Sequence, residues 1–194
     1  MTDLTDLGPA AGQLADLLAN IADEQLTAPT PCTAYTLGDL IDHVGGLSLA
    51  FTAAAAKDFS LTSAGPSGDA ARLPDDWRTT FPARLTALAE AWRDPAAWEG
   101  MTQAGGVQLP GPVAGNVAMN ELVVHGWDIA KATGQPFRSD PASLAACLEF
   151  VSMAATKEPD AGSPFGPIVE VPADATPLDK LIGLTGRNPA WPAE

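Results

Sequence analysis

The chain has 194 residues, a length that suits one domain able to bury a sizeable core without disulfides or metal to staple it. Ten Lys and Arg stand against 24 Asp and Glu, a formal net charge of −14, and so acidic a surface repels phosphate backbones and anionic membranes. Nucleic-acid and membrane partners are therefore not expected.

Other classes fall away as well. The N-terminus carries acids where a secretory leader needs basic residues, and no apolar run reaches the ~18 to 20 residues that span a bilayer. The two cysteines, Cys32 and Cys147, form no CxxC pair, so a zinc knuckle or a dithiol redox site is not indicated. The chain reads as cytoplasmic, with reduced thiols.

Residues 9–26 place Leu14, Leu17, Leu18, Ile21 and Leu26 near helical spacing, and Pro29 and Pro31 end that first helix in a turn. A second helix is predicted from Thr36, a suitable N-cap with Asp39 three residues on, to about residue 56; Leu37, Leu40, Ile41, Val44, Leu47 and Phe51 form its apolar face. Residues 57–76, rich in Gly, Ser, Pro and Asp, read as a long loop. A third helix follows from Trp77 to Trp92, with Pro82 in its first turns, where proline is tolerated. A further loop, in which VQLP suggests a short extended piece, leads to a fourth helix from Val113 to Thr133 capped by Gly134. A fifth helix covers Pro141 to Thr156. The proline-punctuated tail, 157–194, ends in a short helix near Leu178 to Leu184 and is expected to pack on the bundle. The predicted class is all-α: one domain over 1–194, a four-helix bundle with an extra C-terminal helix and an irregular proline-rich tail.

The chain has two histidines, His43 and His125, each in the middle of a predicted long helix. Glu121 precedes His125 by four residues, so the two side chains leave one helix face about a turn apart and can converge on one ion. His43 could add a third donor if the second and fourth helices are neighbours. Two imidazoles and a carboxylate with one open position make the donor set of a catalytic zinc site. An i, i+4 Glu–His pair also occurs as a plain side-chain contact. Both histidines lie in apolar stretches, where an imidazole needs a partner; a metal or a simple hydrogen bond would serve.

Several residues around this trio carry two readings each. Asp128, three after His125, and Asp39, four before His43, could orient the imidazoles or could be solvated carboxylates. Cys32 could be a fourth ligand, but a small thiol packed in its proline-bounded turn is the better reading, and no spacing rule brings it to the ion; Cys147 reads as core. Gly45 and Gly46, inside a helical pattern, suggest close helix packing or room for a ligand. Trp127 reads as core or pocket wall.

The string PTPCTAYTLGDLIDHVGGL resembles the start of the mycothiol-dependent maleylpyruvate isomerase N-terminal-domain family, within the DinB-like superfamily, and LPGPVAGNVAMNELVVHGWDIAKATG is similar to its second signature, E-x-x-x-H-G-W-D. The tail from Gly162 to Pro189 is similar to that of a shorter branch. The resemblance implies a DinB-like bundle and assigns metal-ligand roles to His43, Glu121 and His125. It also implies a divalent transition metal, zinc before nickel, with mycothiol or a similar thiol as cosubstrate for thiol transfer or isomerisation of a small electrophile. A non-catalytic metal- or ligand-binding bundle is the alternative, and a homodimer is left open. Tyr35 stands where the family commonly has Trp. The isomerase branch carries its catalytic Arg in a further C-terminal domain that this chain is too short to hold; nothing in the sequence places Arg187 at the metal, and no catalytic residue is assigned.

Overall fold

The computed structural model describes residues 4–60, 67–156, 158–159 and 165–192. Residues 61–66 of the expected long loop, and several between 157 and 164, lie outside it. Six α-helices form among the described residues: α1 (Gly8–Ala19), α2 (Leu37–Ala55), α3 (Trp77–Ala91), α4 (Gly111–Thr133), α5 (Pro141–Ala154) and α6 (Pro177–Leu184). α1 packs on α3 and α4, and α2 packs on the same two, so the first four helices close a ring in the order α1–α3–α2–α4. α5 lies on α4 and α6 on α5. The class is all-α and DinB-like, as the sequence predicts, with one antiparallel hairpin between β1 (Met101–Ala104) and β2 (Val107–Pro110). No described helix is long and apolar enough to cross a membrane.

The helix starts follow local chemistry. Thr36 and Asp39 form a reciprocal capping box at α2. Asp140 caps α5 through the Ser143 N–H and Thr176 caps α6 through the Asp179 N–H. Prolines enter α1, α4, α5 and α6 within the first two positions, where no N–H is missed. Gly134 ends α4 in the left-handed region, at φ 70°.

One boundary differs from the periodicity. α1 stops at Ala19, not near residue 26, and Asp23–Gln25 form a separate 3-10 turn. The helical pattern continues on paper, but α3 intervenes: Arg78 donates to the Ile21 carbonyl at 3.0 Å and pairs with Asp23 at 2.6 Å. Ile21 still reaches the core at 4% exposure, so its apolar character is used without helical geometry.

The core runs down the middle of the ring through Leu14, Leu18, Leu40, Ile41, Phe81, Leu85, Leu88, Trp92, Met119 and Ile129. The α3–α4 connection folds back on α2 through polar ties. Trp92 Nε1 donates to Phe51 O at 3.0 Å, and Thr102 Oγ1 donates to Ala54 O at 2.6 Å. Gly45 packs closely against α3, and with Gly46 it also borders a cleft of about 450 Å³ beside Asp42 and Arg84. The buried Phe81 ring seats directly on Gly45, and an added Cβ would meet ring carbons at 2.4 to 2.8 Å.

This contact generates a paired stability test. Gly12, on the exposed side of α1, has nothing within 4 Å of an added Cβ. Gly12→Ala is expected to raise the unfolding free energy by up to about 1 kcal/mol through helix propensity. Gly45→Ala gains the same propensity but overpacks against the Phe81 ring, a strain of about 1 to 3 kcal/mol, and is expected to lower stability. Urea unfolding of both variants checks the opposite signs; stabilisation by Gly45→Ala would contradict the packing described.

Candidate metal centre

Helices α2 and α4 are neighbours in the ring, and this juxtaposition builds the site. His43 projects from the middle of α2, and Glu121 and His125 project one turn apart from α4. One ligand atom from each lies within 4.8 Å of the other two. Glu121 Oε2 is 2.9 Å from His125 Nε2 and 3.8 Å from His43 Nε2, so the carboxylate sits between two imidazoles. The rings meet edge-to-face at 88°, with centroids 5.0 Å apart. Tyr35 lies against the other side of His43, 5.2 Å between ring centroids.

A pocket of about 270 Å³ opens over these donors, lined by Cys32, Tyr35, His43, Asn120, Glu121, Val124, His125, Phe165 and Arg187. The donors fit a borderline divalent ion. They are two imidazole nitrogens and a carboxylate oxygen from two rigid helices, facing a cleft with room for an exchangeable fourth partner.

Asp128 supports the arrangement from behind. It is fully buried, and its Oδ2 lies 3.0 Å from His125 Nδ1, which fixes the ring and turns Nε2 toward the cleft. The same oxygen accepts from Arg187 Nη2 at 3.1 Å. Arg187 is delivered by the turn that ends α6. Gly186 adopts φ 83°, its N–H donates to Gly183 O, and the Arg187 N–H reaches back to Ile182 O, a Schellman closure. The tail therefore brings Arg187 into the pocket wall, contrary to the sequence expectation that nothing places it there. The Gly-Arg step after a helical run is the local trace of the turn, but its direction depends on α6 docking on α5.

Other expectations are revised. The Asp39 carboxylate caps α2 and anchors the following loop: its Oδ2 accepts from Thr36 and its Oδ1 from the Ala70 N–H. Cys32 is closer to the site than spacing suggested, since its sulfur lies within 4.8 Å of ligand atoms of His125 and Asp128. That second trio is the poorer metal site. The Asp128 oxygens are taken by His125 and Arg187, and burial, opposed by Arg187, pushes the Cys32 thiol up, away from thiolate. Cys147 is buried core as expected. Trp127 is buried too and borders a different cleft, under Lys131. Asn120, absent from the sequence reading, is a pocket residue; its position beside Glu121 was the only signal.

The electrostatics are those of a compact charge network. Burial by itself would disfavour the imidazolium, but the Glu121 charge and the hydrogen bond to Asp128 override it and push His125 up to about 9. Burial would likewise raise Glu121, yet the two histidines hold it well below the usual carboxylate range.

Two outcomes follow. A histidine whose folded pKa exceeds its unfolded value of 6.5 contributes stability that is complete below 6.5 and is lost as pH rises through about 9. Protein stripped by a chelator should therefore lose stability between those values, measured as denaturation midpoints across pH; a midpoint that rises over that window contradicts the network. Arg187→Met should cost about 3 kcal/mol in urea unfolding, because it strips a buried carboxylate of its cation. A change within 0.5 kcal/mol, the scale of ordinary surface substitutions, would show that the Asp128–Arg187 pair does not matter to the fold.

Residues 7–130 match the family described as mycothiol maleylpyruvate isomerase N-terminal domain. Two uncharacterized proteins of Mycobacterium tuberculosis, from strains CDC 1551 / Oshkosh and H37Rv, are each 30% identical over 183 residues, which cover 92% of this chain and 94% of theirs. A crystal structure of the mycothiol-dependent maleylpyruvate isomerase superposes with a TM-score of 0.59 at 17% identity, over 84% of this chain and 78% of that one. A mutant of that enzyme with one histidine replaced by alanine gives 0.58 at 16% over the same shares. At such identities the superposition speaks for the fold alone. The family match spans the helices that carry His43, Glu121 and His125, and on it the chain belongs to the mycothiol maleylpyruvate isomerase N-terminal domain family.

Proposed function

We propose that this chain is a metal-dependent, thiol-using enzyme in which His43, Glu121 and His125 hold one divalent transition ion, zinc by preference and nickel as a substitute. The observation that carries the reading is the convergence of these three donors, within 4.8 Å, at the floor of a pocket with room for a small molecule. A metal held there would supply Lewis acidity that lowers the pKa of a coordinating thiol toward neutrality. The thiol is mycothiol or a similar low-molecular-weight thiol, and its partner is a small electrophile undergoing thiol transfer or thiol-assisted isomerisation; the family membership supports this choice.

The chain's own residues have separable tasks in this reading. Asp128 holds the His125 ring so that Nε2 faces the cleft, and Arg187 balances the Asp128 charge. Tyr35 and Phe165 wall the cleft and limit water. Cys32, kept protonated by burial, does not compete with an incoming thiol for the ion.

A non-catalytic binding bundle is the second reading, and one observation favours it: among the described pocket residues, no carboxylate or imidazole remains beyond the three donors to serve as a separate general base. Turnover of an electrophile by metal-loaded protein with a cysteinyl thiol separates the two readings. Stoichiometric thiol binding without turnover would support the binding module.

Calorimetric titration tests the donor set. Chelator-treated protein should bind close to one zinc ion per chain. His43→Ala, Glu121→Ala and His125→Ala should each weaken binding on the order of 100-fold or more, whereas Cys32→Ala should leave it nearly unchanged. Affinity should fall as pH drops below about 9, because a proton on His125 competes with the metal. If Cys32→Ala abolishes binding while His43→Ala leaves it intact, the ion has been assigned to the wrong wall of the pocket. Far-UV circular dichroism should retain its helical signal after chelation, since the core is complete without the ion; collapse of that signal would make the metal structural.

A further inference from the structure

One residue of the pocket wall, Asn120, carries a polar atom that the described residues leave unsatisfied. Asn120 is 3% exposed, and its Oδ1 is buried with no hydrogen-bond partner among the described residues. Buried acceptors are nearly always paired, and one left open on a residue that lines a ligand-sized cleft calls for an explanation. Asn120 immediately precedes Glu121 on α4, and Val124, one turn further on, lines the same cleft. Asn120 therefore shares the wall of the cleft with the three donors. Elsewhere in the pocket wall, the Arg187 guanidinium donates to Asp128 and to the Thr185 carbonyl, so its hydrogen bonds are directed away from Asn120.

We propose that Asn120 is a specificity-determining residue whose Oδ1 accepts a hydrogen bond from an N–H or O–H group carried by the ligand close to its sulfur, so that the pocket selects a thiol bearing an amide over one bearing only ester or ether oxygens. The inference rests on the thiol-binding reading above and deepens it. An oxygen acceptor gains from an amide N–H and is repelled by the lone pairs of an ester oxygen in the same place. At about 270 Å³ the cleft takes only the end of a larger thiol, so discrimination falls on the few atoms next to the sulfur.

N-acetylcysteamine and 2-mercaptoethyl acetate are suitable probes, since they differ only in an N–H replaced by oxygen. Cobalt-loaded wild-type protein would be titrated with each, and binding read from the sulfur-to-cobalt charge-transfer absorption. The amide is expected to bind about five- to tenfold more tightly, the scale of one neutral hydrogen bond. Asn120→Leu should take up cobalt as before and reduce the preference to less than about twofold. Equal affinities in the wild type, or a preference for the ester, would overturn the role of Asn120 and leave the thiol reading standing. A preference that survives intact in Asn120→Leu would overturn it too. If neither thiol produces the absorption band although cobalt is bound, the thiol reading fails and this inference with it. The wild-type comparison needs no variant, so it decides the question even if Asn120→Leu does not fold.

Discussion

A carboxylate with no solvent access must be neutralised where it stands, and Asp128 is such a group at the centre of this bundle. One of its oxygens meets both the His125 ring and the Arg187 guanidinium, at 3.0 and 3.1 Å. That single atom joins the C-terminal half of α4 to the turn after α6. It sets the direction in which His125 presents its free nitrogen, and it binds the C-terminal tail to the bundle by charge as well as by packing. Without Arg187 the carboxylate would face burial with only a titratable partner. Without Asp128 the His125 ring would lose the bond that orients it.

The donor cluster is built on the same economy of charge. Glu121 sits between two imidazoles, and the attraction that holds them in a metal-free state is also what any cation must replace. The surface of so acidic a protein draws cations toward it, while the cleft itself sets one carboxylate, Glu121, among two imidazoles and the Arg187 guanidinium. Tyr35 and Phe165 form the aromatic part of its wall.

Rigidity comes from elements far from the chemistry. The closed ring of four helices fixes the α2–α4 separation on which the meeting of His43 with Glu121 depends. Phe81, seated on Gly45 two residues after His43, sets how closely α3 approaches α2 at that level. The hairpin and the Trp92 and Thr102 hydrogen bonds seal the end of α2. Substitutions at these positions would act on the site by moving a helix rather than by touching a ligand.

Features governed by neighbours along the chain are legible in the amino-acid sequence itself. The four-residue interval between Glu121 and His125, the capping box of Thr36 and Asp39, the proline starts and the Gly134 stop all follow from helical geometry, which repeats every few residues. The family signatures around His43 and His125 add the pairing of two helices that spacing could not supply. Tertiary structure alone decided the rest. The end of α1 is set by Arg78 of another helix, and Asp39 is drawn to Ala70 across a loop. Cys32 and Arg187, 155 residues apart in sequence, become walls of one pocket. Asn120 acquires meaning only because its carbonyl oxygen finds no partner among the described residues once the helices have packed. Periodicity records which face of a helix turns inward. It carries no information about which distant segment will meet that face, since that choice belongs to the packing of the whole chain.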